Sequence, residues 1–262
     1  MGRINALPPP PAVPPRSPPV AVAGEEETRI AGLAGGPSLE ARVRVAAGAK
    51  RLVVLCHPHP LYGGSMHSPV PLAIAKMLPE CGVPLSWARF NFRGVGTSEG
   101  RYDEGRGEVD DVCAVIEHMV RLGPGAPVTV CGHSFGSWVG LRAAAKVRLS
   151  GVDHAPDGTS AEGGVVKLGE VRVDRILLVS PTVRFFAFDG GDMAFAGKKT
   201  IFVGSEDDLM DVQEAKTLAS RLGAELRVFD GFDHHFLRSR RALAEAALPV
   251  IAPECIRSSE GQ

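Results

Sequence analysis

The chain has 262 residues, 44% of them hydrophobic, enough for one well-buried core and one domain with tails. Its formal net charge is −1, and no basic stripe or polybasic run suggests nucleic acid or an anionic membrane surface as partner. No apolar run reaches the length of a membrane span, and the N-terminus lacks the apolar stretch of a secretory signal.

Five cysteines (Cys56, Cys81, Cys113, Cys131 and Cys255), an odd count with no close CxxC pair, are read as a reduced, cytoplasmic chain. Residues 1–27 form a Pro-rich tail, with Pro8 to Pro11, Pro14-Pro15 and Pro18-Pro19, too poor in apolar residues to pack a core. It is expected to be a solvated leader, so removing residues 1–24 should leave stability nearly unchanged. A proline-reading partner is the alternative. Organellar targeting stays open, because no acidic residue precedes Glu25.

The folded domain is placed at residues 28–252. Thr28 to Val45 predicts a hairpin, and Arg51 to Cys56 a continuous apolar strand. Ser68-Pro69 opens a helix. Leu85 to Phe92 predicts a strand, and Val109, Val112, Ile116 and Met119 a helix closed by Gly123. Strand Val128–Cys131 and a helix from Ser134 follow. A soft, Gly-rich surface insert is placed at 150–170. Strands at 175–179 and 200–203, a helix at 212–222, a strand at 225–229 and a helix from about Phe236 to Leu248 complete the domain. Residues 253–262 read as a tail. Doubly buried strands alternating with helices give an α/β fold: a mostly parallel sheet with helices on both faces.

Gly132-His133-Ser134-Phe135-Gly136 lies between a strand and a helix, the setting in which G-x-S-x-G marks a sharp turn presenting a serine hydroxyl. Glycines flank the serine because a Cβ at either place would clash with neighbouring backbone. An acid and a histidine should follow in that order. Asp207 and Asp208 follow strand 200–203, with Asp189 and Asp192 as earlier candidates, and His234 and His235 follow the last strand.

Together with residues 57–64 (HPHPLYGG) and 90–100 (FNFRGVGTSEG), this turn resembles the α/β-hydrolase superfamily, within it the small serine hydrolases without a large cap domain. The resemblance implies Ser134 as nucleophile, Asp207 as acid, with Asp208 as runner-up, and His234 as base. It also implies an oxyanion hole from the backbone N–H groups of Phe135 and His59, with Leu61 or Tyr62 next, since Pro58 and Pro60 have none. His235, His118 and His154 are read as packing or solvated residues, and His133 fills the variable position of the turn.

The expected substrate is a small acyl compound, a carboxylic ester first, with no cofactor and no metal. Only the 18 residues from Pro181 to Lys198 are free for a helical lid between the strands at 175–179 and 200–203, too few to form one. Phe185, Phe186, Phe188 and Phe195 there line an acyl pocket or cover the sheet edge. Three rival readings stand: a metal site built on His57-x-His59, a non-catalytic binding protein of the same fold, and a peptidase or thioesterase.

Overall fold

The computed structural model describes residues 5–11, 19–150, 171–190 and 194–257. The Gly-rich insert, with His154, and Asp192 lie outside the described residues. Eight strands form one sheet in the order β1-β2-β4-β3-β5-β6-β7-β8. β1 (Glu26–Ile30) and β2 (Leu39–Arg44) make the expected antiparallel hairpin, and β2 runs antiparallel to β4 (Leu85–Phe90). β3 (Arg51–Cys56), β4, β5 (Val128–His133), β6 (Val173–Val179), β7 (Lys198–Gly204) and β8 (Glu225–Phe229) are parallel.

Helices cover both faces. α2 (Arg106–Leu122), α3 (Phe135–Ser150) and α4 (Val212–Leu222) pack on one core, and α1 (Pro69–Met77) and α5 (Arg240–Ile251) on the other. β3, β4 and β5 are buried at every residue, which is why their sequences read as unbroken apolar runs rather than alternations. Among the described residues, no helix is long and apolar enough to cross a membrane, and no cap domain interrupts the segment between β6 and β7.

Four details differ from the sequence reading. The last helix starts at Arg240, not near Phe236. Phe236 takes a positive φ of 53°, and the Ser239 side chain accepts from the Ala242 N–H at 3.1 Å, so the helix begins there.

The leader is not uniformly solvated. Val22 is buried, Val20 N–H donates to His67 Nδ1 at 3.1 Å, and Glu25 forms a fully buried ion pair with Arg89. The packed chain therefore starts well before residue 28. Its other end also packs: α6 (Glu254–Arg257) brings Glu254 to Arg51, which is 2% exposed and also pairs with Asp174.

Finally, Cys81 and Cys255 form a disulfide, while Cys56, Cys113 and Cys131 are free and buried. The fully reduced reading is corrected. The two residues are 174 positions apart, and only the fold brings their Cα atoms to 4.9 Å.

Candidate active site

β5 ends at His133, and α3 starts at Phe135, which leaves Ser134 alone in the corner. Ser134 has φ +55°, a left-handed conformation costly for a residue with a Cβ. The turn is tight enough to demand its glycines. A Cβ on Gly132 would lie 2.2 Å from Gly136 O, and one on Gly136 would lie 2.5 Å from Cys56 O. Ser134 N–H donates to Val179 O at 2.9 Å, which ties the corner to the end of β6.

β7 and β8 deliver the other two candidates. Asp207 follows the end of β7, and its Oδ1 accepts from the Leu209 and Met210 N–H groups at 3.0 and 3.1 Å. His234 Nδ1 lies 2.9 Å from Asp207 Oδ1 and 3.1 Å from Oδ2, with both side chains buried. The short contacts mean that Nδ1 carries the proton and donates. Burial alone would raise the Asp207 carboxyl. The hydrogen bond and charge of His234, with the backbone donors, outweigh it and hold the group below the usual carboxylate range.

Asp208 is exposed, and its carbonyl accepts from Arg184. Asp189 is exposed as well, and His235 is exposed with its ring 5.1 Å from that of His234.

One contact escaped the sequence reading. His133 is buried, and its Nε2 donates to the His234 carbonyl at 3.0 Å. The residue before Ser134 thus pins the residue that carries the imidazole. Burial first, then the neighbouring His234, pushes the His133 pKa well below the ordinary histidine value, so the ring is neutral. No spacing signal could have found this bond between residues 101 positions apart.

The two motif loops are built as supports. His57 is fully buried. Its Nδ1 donates to Pro58 O at 2.6 Å, and its Nε2 accepts from Phe92 N–H at 3.0 Å. Both ring nitrogens are thereby used, which removes one of the two histidines from the His57-x-His59 metal reading. Asn91 links Met66 to Glu40, and Arg93 clasps Asp111 of α2 through two nitrogens.

In the first loop, Leu61 N–H donates to His59 Nδ1 and Tyr62 N–H to His59 O, so both runner-up donors are occupied. Among the described residues, neither His59 N–H nor Phe135 N–H has an acceptor.

An aromatic cluster surrounds this corner. The His59 ring lies 4.8 Å from Tyr62, 4.9 Å from Tyr102 and 4.9 Å from Phe135. Phe186 stacks on Trp138 at 4.8 Å and meets Phe135 at 5.4 Å. Phe186 thereby joins the cluster around Phe135, and with Phe188 and Phe195 it is also buried in the core. A groove of about 830 Å³, bordered by Arg184, Phe186 and α4, lies beside this cluster, and Ser134 does not line it.

The sheet order and the corner at β5 define an α/β hydrolase, and the chain belongs to that superfamily. Residues 47–152 match the family described as serine aminopeptidase, S33. A lidless α/β serine hydrolase of Xanthomonas campestris is similar at 25% identity, over 92% of this chain and 97% of that one, with a TM-score of 0.68. An α/β serine hydrolase homologue of Coxiella burnetii is 28% identical over 90% and 100%, also at 0.68. An uncharacterised protein of Rickettsia prowazekii is 28% identical over 197 residues, 71% of each chain.

Proposed function

We propose that the protein is a serine hydrolase of carboxylic esters, acting through Ser134, His234 and Asp207. The observation that carries this is the Asp207–His234 contact, which fixes the imidazole with Nδ1 protonated and leaves Nε2 as the basic atom, while His133 ties His234 to the corner holding Ser134. A serine hydroxyl is a weak nucleophile until an imidazole removes its proton. The alkoxide attacks the ester carbonyl, and the tetrahedral oxyanion takes hydrogen bonds from the N–H groups of Phe135 and His59. Nε2 then returns the proton to the departing alkoxide, leaving an acyl-enzyme. Water, deprotonated by the same nitrogen, attacks the acyl carbonyl and frees the acid and Ser134. Asp207 stays ionised and balances the imidazolium throughout.

Ester rather than aminopeptide hydrolysis is favoured by the aromatic cluster. His59, Tyr62, Tyr102, Phe135 and Phe186 offer an apolar wall suited to an acyl group.

The test is Ser134→Ala together with a panel of esters, thioesters and aminoacyl amides. The variant should fold normally and lose several orders of magnitude of ester turnover, about 10³-fold or more. A fluorophosphonate should label the parent chain and not the variant. Wild-type turnover in Ser134→Ala would end this reading, and amides hydrolysed faster than esters would redirect it to a peptidase.

A further inference from the structure

The N-terminal segment Asn5–Pro8 is held at both ends by loops that border the candidate active site. At one end, Asn5 N–H donates to Arg184 O at 2.6 Å, in the loop after β6. At the other, the Tyr62 hydroxyl donates to Pro8 O, in the loop after β3. In the sheet, β3 and β6 flank β5 on either side, and Ser134 sits at the end of β5. Two loops at strand C-termini on opposite sides of β5 therefore hold one short stretch of chain across it.

The reach agrees. Parallel strands lie about 4.8 Å apart, so β3 and β6 are roughly 10 Å apart, the span of three extended residues. Between the anchors, Leu7 is half-buried and packs against the core cluster that contains Phe135, Trp138 and Phe186. Tyr62, which holds Pro8, also has its ring against His59. Prolines 8 to 11 stiffen the chain beyond the anchor, which lowers the entropy lost on docking.

We propose that Asn5–Pro8 is a lid of this hydrolase, and that Leu7 closes over the aromatic cluster of Phe135, His59, Tyr62 and Phe186 and restricts the site to short acyl chains. The proposal rests on the ester-hydrolase reading for its substrate and on the two anchors for its geometry.

Two measurements on the full-length chain test it. The first compares acetyl and octanoyl esters with the parent, Leu7→Asp and Tyr62→Phe. A carboxylate at position 7 abandons an apolar contact, so kcat/KM for the octanoyl ester should rise at least about tenfold relative to the acetyl ester. Tyr62→Phe should move the ratio the same way by less. A ratio unchanged in Leu7→Asp, with acetyl hydrolysis intact, overturns the proposal.

The second follows amide hydrogen exchange at Asn5, Tyr62 and Phe186 in Ser134→Ala, with and without Leu7→Asp, and needs no turnover. Faster exchange at all three on adding Leu7→Asp supports docking, and no change overturns it. A chain that hydrolyses no ester but shows this exchange response sinks the esterase reading and the acyl-selecting role with it, while the docked segment stands.

Discussion

Protonation at single residues has consequences that can be read with a pH meter. His57 is buried with its pKa lowered to about 3, and His59 to about 4, in both cases by desolvation. An unfolded histidine takes a proton near pH 6.5, so between that value and the folded pKa the unfolded state binds more protons. Stability is therefore full above about pH 6.5 and declines as pH falls toward 4 and then 3. Asp207 adds the same sign lower down: its contribution is present above the usual carboxylate pKa and is lost as pH falls through its depressed folded value. The urea midpoint should drop markedly between pH 7.5 and 4.5, and a flat profile across that range would refute the neutral, buried histidines.

At the same scale, Asp207→Asn should lower turnover about a thousandfold or more, whereas Asp208→Asn should have little effect. Equal, mild losses would place the acid elsewhere. The corner at Ser134 was legible because G-x-S-x-G keeps the whole strand-to-helix turn within five neighbouring residues. His133 was not legible: its bond to the His234 carbonyl depends on two distant strands ending side by side.

Strands and helices were readable wherever burial was uniform. β3 and α4 fall where the sequence placed them, because a doubly buried strand is an unbroken apolar run, and a helix with Asp211 as its cap and Gly223 at its end has clear punctuation. The start of α5 was misplaced because Phe236 and Leu237 look helical in apolar spacing, whereas the backbone at Phe236 is spent on the turn that carries His234. The Cys81–Cys255 bridge joins the short turn after α1 to α6, a pairing no local pattern encodes. Replacing Cys255 by Ser should lower stability by about 2–4 kcal/mol while leaving ester turnover near the parent value. Thermal unfolding with and without a thiol reductant checks this, and equal midpoints would show that the bridge contributes nothing.

Across the whole molecule, the leader proved the least legible part. Its composition predicts solvation, and composition cannot reveal that Glu25, just beyond the prolines, is the partner Arg89 needs in the core. Arg89 also donates to the Val20 and Met66 carbonyls, so the segment entering β1 is locked to β4. Glu25→Ala should destabilise the fold by about 3–5 kcal/mol, because it leaves a guanidinium buried without its counter-charge. A melting temperature equal to the parent's would argue that the pair is not buried in solution. Truncation at residue 24 should cost stability too, contrary to what composition alone suggests.

Arg51 gives the pairing of sheet and C-terminal segment a temporal meaning. It opens β3 in the middle of the sheet, yet one of its two carboxylate partners, Glu254, is 203 residues further on. A ribosome synthesises from the N-terminus, so every nascent chain must carry that guanidinium only partly neutralised until residue 254 has emerged. The central strands can collapse earlier, but full pairing of Arg51 needs α6. The Arg51–Glu254 pair thus forms long after β3 has been made, and α6 acts as its latch.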